Sequence, residues 1–573
     1  MYKVRNLCIL GLMLGFASMG SSFAKTKESS SEGKGAEKTQ RAVSGTFDLQ
    51  KNRVSRVEFY STNYGIIGLD VANNVGGGKW PRGTNNQYIF GGGIWFGVKK
   101  LNPQGDTVKL CDISYNPNSG SSWMVPGRIE EDQDAVNDAN REKYRLYFSS
   151  DYRRSDGTAL KPADGSSPWP IWDLSANPLD TLRKDRYFGG YEDNVGLRTV
   201  ENYPKGPAFI SGEDIFATFK DTDLNRYEGG VGRRKSEGYP LRIQYEQMIY
   251  SWGFGDYRDF LFIKYALINK SKDTLRECWL APAFDMDIGV NGSTANYAAN
   301  DRTRYYNEED TLNLAIQWSN GTQGEAGKGF GYIGFDFLES PSTYPAFVVR
   351  DTVKDANGND SIRYQLIGTS PDSAGFLRKD KKVYTNREQL GLKTFRNWTI
   401  DQDPKENDLR YDFMALGLKD GDTPEGDKRF LMATGPFNLA PKDTARTVVG
   451  LIMANTPNGN DANGRTEDAV ELIKRDKFAQ RVYDDNFRTP TPPDPSKVNW
   501  RPLNNAVIVT WDTTAEYSYD DLEKGLDFMG YKLYRARRID LDSFDTDVRK
   551  SIARGPFGWK QLAEWKMPTP FSQ

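Results

Sequence analysis

The chain has 573 residues, 37 % hydrophobic and 13 % aromatic content, a formal net charge of −2 and no histidine. Without histidine there is no Ser-His-Asp triad, no Cys-His pair and no zinc site with imidazole ligands, because histidine is the usual base and metal ligand near neutral pH. The near-zero charge supplies neither a basic field for nucleic acid nor a cationic face for a membrane, so neither partner is expected. Carboxylate-pair chemistry survives these exclusions.

Lys3 and Arg5 precede an apolar run from Leu7 to Met19, followed by Ser22-Phe23-Ala24. This pattern predicts a signal peptide over residues 1–24 and a protein that is secreted or displayed on the outer surface. The run falls short of the about 20 apolar residues that span a hydrocarbon core, so no transmembrane anchor is expected. Cys8 lies inside the run without the small residues that usually precede a lipid-modified cysteine. In the mature chain Cys111 and Cys278 remain, as one long-range disulfide or as two buried thiols, with the reading leaning to thiols.

Residues 25–45 are Lys, Glu, Ser and Gly with little to bury, which predicts a disordered spacer. From 46 to 488 short apolar and aromatic runs alternate with Gly, Asn and Asp clusters, the punctuation of antiparallel strands. Such runs are Tyr88 to Val98, Tyr144 to Phe148, Phe260 to Ile268, Thr311 to Trp318 and Thr447 to Met453. The fold class read from them is mainly β, a large antiparallel β-sandwich region in one or two subdomains. Its helix is predicted near 467–483, with Thr466 as N-cap and Ala469, Leu472, Ile473, Ala479 and Tyr483 on one face. A Pro-rich linker occupies 489–497.

Beyond the linker, Ala506 to Trp511 and Gly530-Tyr531-Lys532-Leu533-Tyr534-Arg535 resemble the second and third strands of a fibronectin type III domain, with Trp511 as its core tryptophan. Residues 498–573 are therefore expected to form an incomplete domain of that type, since the later strands of a seven-stranded sandwich are not found. The chain is accordingly expected to be a fragment of a longer reading frame. The larger region resembles long secreted, fibronectin type III-containing proteins of Bacteroidetes-type bacteria associated with type IX secretion. The similar segments are Trp80 to Gly83, Tyr88 to Gly97, Tyr144 to Asp151, Phe262 to Asn269, Asp285 to Gly289 and Phe437 to Pro441. The resemblance implies location and architecture and carries no catalytic residues. In such bacteria Asp-Ser and Asp-Thr tripeptides, as at Asp106 and Asp273, can accept O-linked glycans, although turn-then-strand chemistry accounts for them too.

Asp285-Met286-Asp287-Ile288-Gly289 places two carboxylates two residues apart, able to face one cation, with Asn296, Asn300 and Asp301 as further oxygen donors. It is not an EF-hand, because Val290 and Asn296 stand where glycine and glutamate are required. Asp221-Thr222-Asp223-Leu224-Asn225 repeats the spacing as a weaker calcium candidate. Asn357-Gly358 between strand-like flanks reads as a hairpin turn. Trp169 and Trp172, set among prolines, are the candidate carbohydrate platform. The functional expectation is a non-catalytic architectural or adhesive surface protein, calcium-stabilised, whose partners are cell-surface or extracellular matrix components, glycans among them. A carbohydrate-binding surface protein is one alternative, and a carboxylate-dependent glycoside hydrolase, needing paired acids about 5 to 10 Å apart, is another.

Overall fold

The structure is a computed structural model. It describes residues 47–129, 145–152, 158–161, 169, 210–226, 233–292, 297–309, 312–320, 324–325, 330–341, 347–354, 360–368, 382–384, 389–456, 468–484, 487, 493–494, 496–518, 526, 528–535 and 560–567. The chain is mainly β, with large antiparallel sheets arranged as a β-sandwich.

The long strands of the two principal sheets are, in chain order, β1 (Gly91–Leu101), β2 (Thr107–Ile113), β3 (Glu213–Lys220), β4 (Ile243–Ser251), β5 (Phe260–Asn269) and β6 (Leu275–Met286). After them come β7 (Asp301–Tyr305), β8 (Leu314–Ser319), β9 (Tyr332–Glu339), β10 (Thr394–Thr399), β11 (Lys428–Leu439) and β12 (Thr444–Ala454). Five of them form one sheet in the order β10-β11-β6-β1-β2. The other sheet has nine strands, and its main path runs β3-β4-β5-β12-β9-β8-β7. β12, the last of these strands in the chain, sits between β5 and β9, in register from Phe260 opposite Ile452 and from Tyr332 opposite Ala454.

Side chains alternate across a strand, and both faces of both sheets are covered. Ile94, Phe96, Leu280, Phe430 and Met432 of the smaller sheet meet Ile263, Phe335, Val449 and Leu451 of the larger one in the central core. Their neighbours point outwards. On the larger sheet Phe262, Val448, Ile452 and Tyr332 pack with Leu472, Ala479 and Val482. On the smaller sheet Trp95, Ala281, Leu431 and Trp398 pack with Tyr411 and Met414. Burial on both faces explains why the strands read as continuous apolar runs rather than as strict alternation.

Among the described residues two helices supply the outer layers. α1 (Asn407–Met414) lies on the smaller sheet and was not legible in the sequence, being short and polar. α2 (Val470–Asp484) covers the larger sheet and matches the expected helix to within three residues at its start, while Thr466 lies outside the described residues. No helix among the described residues is long and apolar enough to cross a membrane.

Cys111 and Cys278 are both buried and free. They sit on β2 and β6 with β1 between them, and Cys278 faces the central core whereas Cys111 faces the α1 side. A separation of two strand spacings, about 10 Å, with side chains on opposite faces, is beyond disulfide reach.

Four further strands lie in the C-terminal region, paired as Val498–Leu503 with Ala506–Trp511 and Gly530–Arg535 with Lys560–Lys566. Trp511 packs against Tyr531 and Trp565. The hairpin expected around Asn357-Gly358 has paired flanks, with Lys354 opposite Asp360, while the turn itself lies outside the described residues.

Candidate metal centre

β6 and β11 run antiparallel, so the end of one meets the start of the other. Met286 is opposite Lys428, and one step further brings Asp287 beside Asp427. Asp285 is opposite Arg429 on one side and Gly91 of β1 on the other. One carboxylate oxygen from each of Asp285, Asp287 and Asp427 lies within 4.8 Å of the other two. Oxygens that each bind a calcium ion at about 2.4 Å are at most about 4.8 Å apart, so the spacing suits a shared cation.

Asp301 opens β7, an edge strand of the other sheet, and is fully buried. Its Oδ2 accepts the Ile288 N–H at 2.8 Å and its carbonyl accepts the Gly426 N–H at 3.0 Å. These two bonds fasten Asp301 to the residues next to Asp287 and Asp427. Asp301 of the other sheet thus stands beside the group without being one of the three acids that share the 4.8 Å spacing.

Arg429 is the cation on hand. It contacts Asp427 at 2.6 Å, Asp403 at 3.2 Å and Asp285 at 3.3 Å. Tyr115 donates its hydroxyl to Asp285 Oδ2 at 2.8 Å. It can do so because position 91 is glycine, where a Cβ would stand 2.7 Å from the tyrosine ring. Asp403 accepts the Trp398 indole N–H at 2.6 Å.

The electrostatics are unbalanced, with Asp285, Asp287, Asp403 and Asp427 gathered around this one guanidinium, while Asp301 interacts with Lys428. Burial pushes Asp285 up to about 7 even though Arg429 opposes the shift, and it lifts Asp403 to about 6. Asp287 rises well above the carboxylate range, through burial first and then the charges of Asp285 and Asp427. Asp301 rises for the same first reason, with Asp287 and Asp427 adding to it. Burial works to lower Arg429, but Asp285, Asp403 and Asp427 outweigh it and raise the group. Meanwhile the Oδ1 atoms of Asp287 and Asp301 are buried and make no hydrogen bond among the described residues, whereas Asp285 Oδ1 lies 3.3 Å from the Arg429 guanidinium. Buried acceptors without donors cost about 1–3 kcal/mol each, more when charged, and a divalent cation satisfies several at once.

No protein-family model matches the chain, and no curated protein sequence is similar to it. The chemistry must be read from the residues themselves.

Of the acids singled out in the sequence, the structure brings Asp285, Asp287 and Asp301 together. Asn300 precedes Asp301 and its carbonyl accepts the Asn320 N–H, while Asn296 lies outside the described residues. Asp427, Asp403 and Arg429 were missed, because only strand register connects them to Asp285.

Asp221 and Asp223 do different work from that expected of a second calcium loop. Asp221 accepts the N–H groups of Arg242 and Ile243, each at 2.9 Å, and lies 3.8 Å from the buried Arg233 guanidinium, which also meets Asp112 at 3.3 Å. Asp223 closes a turn by accepting the Asn225 N–H at 3.0 Å. Both Asp221 oxygens are thus committed to holding loops onto β4. Trp169 is a packing anchor rather than a sugar platform. It is 1 % exposed and wedged among Tyr147, Tyr152 and Phe216. Trp172 lies outside the described residues.

Proposed function

We propose that this is an exported, non-catalytic architectural or adhesive protein of the cell surface, whose sandwich is clamped by calcium between Asp285, Asp287 and Asp427, with Asp301 beside them. The observation that carries the reading is the close grouping of Asp285, Asp287 and Asp427, beside which the buried Oδ1 atoms of Asp287 and Asp301 make no hydrogen bond among the described residues. A cation there ties the end of β6 to the start of β11, next to the start of β7. Extracellular calcium is plentiful, and oxygen-rich sites built from loop and strand ends suit it better than a transition metal. The leader-like N-terminus and the resemblance to secreted fibronectin type III-containing proteins support the location, and cell-surface or matrix components, glycans included, are the partners this implies.

Burial also favours a non-catalytic reading over a glycoside hydrolase. Asp285 is 3 % exposed and engaged by Arg429 and Tyr115, so a sugar cannot reach it without dismantling the sheet. The test is calorimetric titration of the purified chain with calcium, and with magnesium as a control, followed by thermal melts in calcium and in chelator. Saturable calcium binding that raises the melting temperature supports the proposal. Absence of binding at millimolar calcium, or polysaccharide hydrolysis that vanishes on substituting one of these acids, would overturn it.

A further inference from the structure

A second group of buried acids lies on the opposite face of the larger sheet, under α2. Strand β9 and helix α2 advance in step there. The Tyr332 hydroxyl donates to Asp468 at 2.8 Å. Two residues along the strand and four along the helix, a Cβ at Gly334 would meet Leu472 at 3.1 Å. Two and four residues further stand Asp336 and Asp476, and beyond them Tyr483 donates to Glu339 at 3.3 Å. The spacing works because two strand residues span about 6.7 Å and four helix residues about 6 Å.

Asp336 is 1 % exposed and Asp476 is fully buried. Asp336 Oδ2 and both oxygens of Asp476 make no hydrogen bond to any donor group among the described residues. The strand neighbours of Asp336 are Leu314 and Gly450, which carry no charge. Cations and acids on the surrounding elements are engaged elsewhere. Lys477 points to solvent and pairs with Glu309 at 2.7 Å, so that the two act on Asp476 with opposite signs. Arg475 pairs with Asp259 at 3.5 Å, and Asp259 also meets Arg56. Asp484 adds a further negative charge near Asp336. Towards the end of the helix, Lys264 and Arg446 act on one another and Lys264 on Glu339.

We propose that Asp336 and Asp476 share one proton, and that this carboxylic acid–carboxylate pair is a pH-sensitive latch holding α2 against the sheet. Two carboxylates in contact in an apolar layer cannot both stay ionised, so one retains its proton and donates it to the other. Loss of that proton to solvent leaves two like charges facing each other with no cation between them. Burial pushes Asp336 up to about 7, and burial followed by the charge of Asp336 raises Asp476 well above the carboxylate range. For acids raised in the folded state, stability is fully present below the unfolded pKa of about 4 and is lost as pH rises through the folded value. The latch is therefore closed in acid and weakens above neutrality, freeing the helix that leads into the linker. It does not depend on the cation site.

Hydrogen exchange of the Leu472–Val482 amides at pH 6.0 and 8.5, corrected for intrinsic rates, tests this in the full chain with chelator present. Protection of α2 should fall at least tenfold at pH 8.5 relative to that of β5. Asp476→Asn, whose amide donates at every pH, should remove that difference, and Asp336→Asn serves the same purpose should the first variant fail to fold. Equal relative protection at both pH values in the unmodified chain would overturn the latch, as would an undiminished fall in both amide variants. So would loss of protection at pH 6.0 on adding chelator, because a metal rather than a proton would then be holding the pair.

Discussion

Replacing Asp287 by Asn should stabilise the calcium-free protein and abolish its response to calcium. In the native arrangement Asp287 and Asp427 have carboxylate oxygens within 4.8 Å of each other. Two unit charges about 4.8 Å apart repel by about 3.5 kcal/mol at an effective dielectric of about 20. Burial and the neighbouring acids already favour the protonated form of Asp287, which relieves some of this, so an isosteric neutral amide should gain about 1–3 kcal/mol in chelator, read as a rise in the urea midpoint at constant slope. Calcium at 100 times its dissociation constant stabilises the native state by about 2.7 kcal/mol. For a sandwich of roughly 400 residues that shifts the melting temperature by about 3 °C, and the variant should show no shift. The crossing of the two effects is diagnostic, with the variant more stable than the native chain in chelator and its advantage reduced or reversed in calcium. If Asp287→Asn destabilises by the same amount in both media, Asp287 is an ordinary turn residue and the cation argument fails.

Arg429→Met should cost about 3–5 kcal/mol in chelator at pH 7.5, because Asp285 and Asp403 lose their buried partner, and much of the loss should be recovered at pH 5 when these acids take up protons; equal cost at both pH values in urea melts would contradict the pairing. Asp285 titrates near 7 in the folded chain against about 3.9 unfolded, so stability tied to its protonated form is intact below 3.9 and is lost as pH rises through 7. The urea midpoint in chelator should therefore fall between pH 6 and pH 8, and calcium, which binds the ionised form, should flatten that fall. Cys111 and Cys278, buried and on opposite faces of their sheet, should react with a thiol reagent only after denaturation, with no mass change on reduction; a two-dalton gain on reduction would show a disulfide.

The sheet-forming runs were legible because strands covered on both faces are written as unbroken apolar and aromatic segments, as in Phe260–Asn269 and Thr444–Ala454. Helix α2 was legible from Leu472 and Ala479 on one face, but Asp476, which shares that face, was not, since an acid at a core position breaks the pattern it belongs to. Local spacing placed Asp285, Asp287 and Asp301 correctly as neighbours. Asp427 was hidden because its proximity depends on the pairing of β6 with β11, a register that no window of sequence contains. Trp169 stood as a candidate sugar platform for a related reason. Its flanking prolines indicate a loop but say nothing about whether that loop folds over a ring cluster.

The position of β12 bears on how the chain reaches this structure. The middle of the larger sheet is the last of its strands to be made, and until residues 444–454 arrive, β5 and β9 present unpaired edges to one another across a gap. Pairing at such long sequence separation makes folding slow, and an unfilled central slot keeps the partial chain from closing its core. A polypeptide ending before Thr444 would carry two open edges bordered by apolar residues and would be prone to self-association. Under the export proposed above, the same arrangement would suit passage across a membrane in an extended state, since the fold cannot lock until nearly all of the sandwich has emerged on the far side.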